Sequence, residues 1–301
     1  VDQSAFEYRV IDFIGAHNGL PSSQPRYWRE EEWKHAIDWM LKNRINVASL
    51  ILANPNVPVL AGVFEQAFPQ LNSLRKDGVG SNWDYPIEYR RTMMQEVLRY
   101  GRSHGLRFLY RYEYAAIPED LLKLKPQLGT LMLDAGNPEH RRVMLSVGRA
   151  AFELYGTDHL YSVQFAGEDP SLKAATSRGV AMGAEVIREL DPKYEKIMTN
   201  SWHFQTLHYT LEDGREFCDA LRSARVGVIA ELCINQKIYE KYDYFYGLEW
   251  WYGLVNSLAA DSTYHVTPSF DYQISNLSGL LRDKQHGPKM TGYCLFPESF
   301  G

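Results

Sequence analysis

The sequence predicts an α/β fold, a (β/α)8 TIM barrel with its last helix missing, and three observations carry that prediction. Segments rich in β-branched and aromatic residues alternate with segments of helical period along the whole chain, which is the pattern of parallel strands joined by helices. The strand signals number eight, at residues 8–14, 46–52, 107–112, 159–165, 196–200, 226–232, 249–254 and 290–295. Eight such units within 301 residues match the size of one barrel, about 250 residues before insertions. No Pro/Gly/Ser-rich linker or shift in composition divides the chain, so residues 1–301 are expected to form one barrel domain.

Each element has its own reason. The first helix follows from Trp33, Ala36, Ile37, Met40 and Leu41, whose spacing puts them on one face. Glu30, Glu31 and Glu32 stand at its start, where the helix dipole favours negative charge. A second helix runs over 87–100 with Met93, Val97 and Tyr100 on one side, and a third carries Val143, Val147, Ala150 and Leu154. Further helices are expected over 174–190, 212–222 and 269–281. In such a barrel the active site lies where the strands end, so chemistry is to be sought in the few residues after each strand.

Composition excludes several classes of function. A hydrophobic share of 45% with 23% charged residues is that of a folded domain, which excludes a disordered or collagen-like chain. The net charge of -5, without a long basic run, supplies no attraction for nucleic acid or an anionic membrane. No apolar run is long enough to span a membrane. Cys218, Cys233 and Cys294 have no metal-binding spacing, and none of the His residues forms an HExxH pair, so neither a metal nor an organic cofactor is expected. His203 reads as a polar loop residue. Gly101-Arg102-Ser103-His104-Gly105 spells a nucleophile-elbow motif, but Ser103 ends a helix and leads into a strand, the reverse of the order the elbow needs.

Carboxylates at strand ends are the better candidates. Cleaving a glycosidic bond needs one carboxyl to protonate the leaving oxygen and a second to attack or to activate water. Glu113, Glu168, Asp169, Glu231, Glu249, Asp271 and Glu298 are the acids in or near such positions. Glu168 follows an aromatic strand through Ala166-Gly167, a small pair that lets a substrate approach, and Glu298 follows the last strand. Taken singly, each also fits an ion-paired or solvated acid at a barrel rim.

A family resemblance singles out two of these acids. WKHAIDWMLKNRINV, residues 33–47, resembles a helix-to-strand signature of the alpha-N-acetylglucosaminidases, glycoside hydrolase family 89. GTDHLYSVQFAGEDP, residues 156–170, resembles the family's segment around its acid/base, and MTGYCLFPES, residues 290–299, the segment around its nucleophile. Asn82-Trp83-Asp84-Tyr85-Pro86, Ser201-Trp202-His203-Phe204-Gln205 and the pair Trp251 and Asn256 resemble further family segments in the same order. The resemblance implies Glu168 as acid/base and Glu298 as nucleophile, with Trp83, Trp202, Trp251, Asn256 and Glu231 binding substrate. For the three tryptophans, barrel packing is an equal reading of their positions.

The departures are equally specific. Gly167 stands where the family has an Asn beside its acid/base, and Ala116 where it has a His. The family's flanking N- and C-terminal domains have no counterpart, and only three residues follow Glu298, which leaves exposed apolar surface expected at the seam between first and last strands. That seam leaves a homo-oligomer open. The expected function is a retaining, exo-acting hydrolase of a terminal α-linked sugar, such as an α-N-acetylglucosaminide, with carbohydrate as its partner. The alternatives are an inactive carbohydrate-binding barrel and a glycosidase for a sugar lacking the 2-acetamido group. The resemblance and the sequon Asn276-Leu277-Ser278 point to a secreted, periplasmic or lysosomal-like compartment.

Overall fold

The computed structural model describes residues 6–12, 28–51, 60–71, 86–113, 117–130, 134–164, 171, 173–231, 237–256 and 270–297. Eight parallel strands close into a barrel in chain order: β1 Tyr8–Asp12, β2 Val47–Ile51, β3 Arg107–Glu113, β4 Leu160–Gln164, β5 Lys196–Asn200, β6 Gly227–Glu231, β7 Trp250–Asn256 and β8 Met290–Pro297. The ring is shut by β1 on β8, with Tyr8 opposite Gly292 and Val10 opposite Cys294. A closed ring leaves no strand edge unpaired. All eight sequence-predicted strands are present, and their ends shift by one or two residues where β-branched content fades into the following loop.

Among the described residues six helices of more than ten residues lie between the strands: α1 Glu30–Lys42, α2 Ile87–Ser103, α3 Pro138–Tyr155, α4 Lys173–Leu190, α5 Leu211–Ser223 and α6 Phe270–Arg282. In α1 Trp33, Ile37 and Met40 of the stripe read from spacing are buried and its Ala36 and Leu41 are half-buried, while Trp39 is exposed. The α3 helix starts where Asn137 accepts the Glu139 amide at 3.0 Å and Pro138 takes the first turn, which has no intrahelical partner for an N–H. The α5 helix starts from a reciprocal cap, in which Thr210 and Asp213 each satisfy the other's amide. Shorter helices at Val63–Ala67, Glu119–Leu124, Trp202–Thr206 and Ile238–Lys241 are not foreseen, because one turn is too short to show a period.

Two cores follow from strand alternation. Outward residues such as Phe108, Tyr110, Val163, Val228 and Trp250 pack under the helices, and inward residues fill the barrel. Coverage is thinner at the seam. On the outer face of β8, Thr291, Tyr293 and Leu295 are half-buried, whereas the outward residues Leu50, Tyr110 and Val163 of β2, β3 and β4 are buried. Phe6 packs edge-on against Tyr293 there, with ring centroids 5.6 Å apart.

The sequon reading is corrected by α6. Asn276 sits inside that helix, and its Nδ2 donates to the Tyr239 hydroxyl at 2.7 Å and to the Tyr252 hydroxyl at 3.2 Å. The nitrogen a glycan would occupy is already used to pin α6 to the barrel. No described helix is long and apolar enough to cross a membrane.

Candidate active site at the mouth of the barrel

The barrel interior changes character along its axis. At the strand starts, Tyr8 and Trp251 stack at 5.1 Å between ring centroids and 24° between planes. Next come Val10, Val47, Leu109, Leu160, Met198, Ile229 and Cys294, all within 2% of complete burial. Two residues further along β1 to β6, on the same inward face, the side chains turn polar: Asp12, Ser49, Arg111, Ser162, Asn200 and Glu231, with Gln164 one step higher on β4. Phe296 of β8 keeps this level partly apolar, and β7 passes it at Gly253.

Charge is concentrated in this layer. Arg111 and Asp12 form an ion pair across β2 at 3.5 Å, with side chains 2% and 3% exposed. Burying two charges costs several kcal/mol per ion before their attraction repays it, and an apolar pair fills a barrel at lower cost. Cys294, fully buried among them, has its thiol pKa pushed up first by burial and then by the Asp12 and Glu231 carboxylates, with Arg111 opposing. One buried cation and two carboxylates therefore share a single interior neighbourhood under the mouth.

The β5–α5 connection completes the layer. Ser201 and His203 are buried, and His203 lies in the short helix Trp202–Thr206, which corrects its reading as a polar loop residue. The ring faces Phe217 edge-on at 6.4 Å, and neither of its nitrogens has a hydrogen-bond partner among the described residues. Burial, assisted by the Arg111 charge, lowers its pKa to about 4, so it is a neutral imidazole at ordinary pH. The Oε1 of Gln164 and the Oγ of Ser49 are likewise buried without a partner among the described residues.

The sequence-predicted residues divide into three groups. Glu168, Glu298 and Trp83 lie outside the described residues, as do Asp169, Gly167 and Ala116. Their anchors are described: β4 ends at Gln164, and β8 ends at Pro297, directly before Glu298. Glu231 ends β6 on the inward face, Trp202 opens the short helix after β5 and is half-buried, and Asn256 ends β7 in register with Pro297. These three stand at the mouth.

Trp251 and Glu249 stand elsewhere. Trp251 has no exposed surface, stacks on Tyr8 and donates from Nε1 to Thr291 Oγ1 at 3.1 Å. It is the floor of the barrel and not part of a sugar pocket, because it is the second residue of β7 and not its last. Glu249 precedes β7 at the opposite end, where both its oxygens accept from Lys196 at 2.7 Å. Asp271 is the second residue of α6, the helix that follows the end of β7. Ser103 of the elbow-like motif donates to the Tyr100 carbonyl at 2.8 Å in the last turn of α2, as a helix-terminal serine does.

Sequence reasoning missed Asp12, Arg111, Gln164 and Asn200. The available signal was a polar residue two positions after an inward apolar one at each strand end, but inward and outward faces are indistinguishable when both are buried. No group of three or more His, Cys, Asp or Glu side chains among the described residues gathers as a metal site.

No protein-family model matches the chain, and no curated protein does. Solved structures match it over nearly its whole length. The GH20 beta-N-acetylhexosaminidase from Streptomyces coelicolor A3(2) superposes with a TM-score of 0.63 at 11% identity, over 100% of this chain and 61% of that one. A mutant beta-hexosaminidase of Streptomyces plicatus, in complex with its product GlcNAc, gives 0.57 at 13% identity, over 98% and 60%. The beta-N-acetylhexosaminidase from Bacteroides fragilis NCTC 9343 gives 0.52 at 13% identity, over 97% and 61%. The chain thus spans about three fifths of the length of each of these proteins. The class so defined is a (β/α)8 barrel with a polar mouth, and the fold is shared with glycoside hydrolases.

Proposed function

We propose that the chain is a retaining glycoside hydrolase that removes a terminal α-linked sugar, an α-N-acetylglucosaminide, using Glu298 as nucleophile and Glu168 as acid/base. The observation that carries this reading is the polar layer closing the C-terminal end of an otherwise apolar barrel, in which Arg111, Asp12 and Glu231 are held together in or under the mouth. Structural demand alone favours apolar residues at that level, and substrate chemistry in these barrels occurs there. The strands that define this mouth include β4 and β8, whose extensions carry Glu168 and Glu298.

In the first step a Glu298 oxygen attacks the anomeric carbon while the bond to the leaving oxygen breaks, and that oxygen takes the proton of Glu168. In the second, the Glu168 carboxylate removes a proton from water, the water oxygen attacks the same carbon, and Glu298 leaves as carboxylate. Trp202 and Glu231 hold the sugar at the mouth. A second reading, cleavage of a β-linked N-acetylhexosaminide, is favoured by the activities named for the Streptomyces and Bacteroides structures.

A panel of nitrophenyl glycosides of both anomers, with and without the 2-acetamido group, separates these readings. Glu298→Gln is expected to abolish hydrolysis and keep sugar binding, since the amide preserves shape but does not attack. Glu168→Gln is expected to spare nitrophenyl substrates more than natural glycans, because a good leaving group needs less protonation. A parent that binds N-acetylglucosamine and cleaves nothing is a binding barrel, and a double Gln variant as fast as the parent removes both residues from the mechanism.

A further inference from the structure

Asp12 and Arg111 are charged where nothing in the fold calls for charge. The layer beneath them is apolar around the barrel, from Val10 on β1 to Cys294 on β8. Their neighbours at the same level on β2, β4 and β5, which are Ser49, Ser162 and Asn200, are neutral. The pair reaches from β3 over β2 to β1 at 3.5 Å, with both side chains buried. The ion pairs that close the other end of the barrel, Arg107 with Glu195 and Lys196 with Glu249, are all partly open to solvent. A pair open to solvent keeps much of its hydration, whereas a dry pair gives it up on both ions and is matched or bettered in stability by apolar residues of similar volume.

The guanidinium is central under the mouth. Arg111 stands opposite Ser162 of β4, and its charge is felt both at the His203 ring beyond β5 and at the Cys294 thiol on β8. The titratable groups that face this neighbourhood are Asp12 on β1, Glu231 on β6, Cys294 on β8 and His203 on the helix after β5. Glu113 stands two positions further along β3, and β2, β4 and β5 present serine and amide side chains. Among these described residues Arg111 is the one fixed cation. The strand β8 runs on directly into Glu298, the nucleophile of the reading above, which has to be ionised to attack. A nearby cation keeps a carboxyl ionised to lower pH, and a nearby carboxylate does the reverse.

We propose that Arg111 and Asp12 are positioning residues of the active site, in which Arg111 keeps the nucleophilic carboxylate at the mouth ionised and Asp12 holds Arg111 in place and offsets part of its charge. The proposal rests on the glycosidase reading and adds to it what sets the acid limb of the pH–rate profile. It is tested by following kcat/KM against pH with the nitrophenyl glycoside that the parent cleaves, since the acid limb reports the group that has to be ionised. Arg111→Met is expected to move that limb up by about one pH unit, Asp12→Asn to move it down, and Arg111→Lys, which keeps the charge, to leave it in place. A merely structural pair does not give opposite shifts, because its variants lose folded protein at every pH alike. The His203 ring titrates in the same directions, so the Arg111→Met profile is repeated with His203→Leu. A shift that persists belongs to the carboxylate, and one that vanishes overturns the proposal. Where Arg111→Met leaves Asp12 buried alone and yields no folded protein, the double variant Asp12→Leu/Arg111→Met takes its place, because an apolar pair leaves no buried ion. It is expected to melt no lower than the parent and to lose about tenfold in kcat/KM on the acid side of the optimum. A double variant that melts lower and keeps the parent's kcat/KM at every pH overturns the proposal, as do single variants whose acid limbs stay in place. A parent that cleaves no glycoside at any pH overturns the glycosidase reading, and this proposal with it, before any variant is made.

Discussion

His203 shows what a single residue reveals about the mouth. Burial, and after it the nearby Arg111 charge, hold its pKa down to about 4 from the ordinary 6.5, so the ring is neutral. The folded-state value is depressed, so above pH 6.5 neither state carries the proton and stability is unaffected. As pH falls from about 6.5 toward about 4 the unfolded chain binds the proton first, and stability is lost across that window. From pH 7 to pH 5 the loss is about 2 kcal/mol. His203→Leu is expected to remove that part of the acid sensitivity, which urea unfolding of parent and variant at both pH values measures directly. An equal pH dependence in the two proteins contradicts the neutral, buried assignment.

Helices and strands meet through small residues at particular points. Gly148 in the middle of α3 lies over β3, where an added Cβ collides with the Tyr112 hydroxyl and with Leu190 at the end of α4. Replacing glycine by alanine in a helix interior is worth up to about 1 kcal/mol of helix propensity. Overpacking a closed site costs about 1–3 kcal/mol, and here the two obstacles come from two different elements. Gly148→Ala is therefore expected to destabilise the protein on balance, seen as a lower urea midpoint with unchanged slope. A midpoint raised by the substitution means that α3 slides freely over β3.

The molecule as a whole separates stability from chemistry along the barrel axis. At the strand starts a polar ring closes the barrel from below. Tyr8 donates to Glu195 at 2.6 Å, Arg107 donates to the same carboxylate at 2.6 Å, and Lys196 reaches Glu249 at 2.7 Å while lying over the Tyr8 ring at 5.5 Å. Arg107 and then Tyr8 keep the Glu195 pKa below its usual value. Trp251 is the lid of this ring from within, linked through Thr291 to Glu249. Trp251→Ala is expected to cost about 3–5 kcal/mol, while the KM of whatever folds stays at the parent value, because the site is at the other end. Calorimetric melting with kinetics on the soluble fraction tests this, and a raised KM without a lowered melting temperature returns Trp251 to the sugar pocket.

What the sequence determined by itself was the periodic part of the protein. Strand count, strand order and the apolar stripes of α1, α2 and α3 are local patterns of two and 3.6 residues, so Trp33, Ile37, Met40 and Val147 are legible without any neighbour. The positions of Glu231, Trp202 and Asn256 at the mouth follow from the rule that strand ends face the site. Only the tertiary structure decided which way each doubly buried strand faces, since both faces of a parallel barrel read as apolar. That is why Trp251 became floor, Glu249 became part of the lower ring, and Asp12 and Arg111, 99 residues apart in the chain, emerged as a buried pair. Closing the ring brings β1 beside β3 across β2, and no local pattern encodes a partner at that distance.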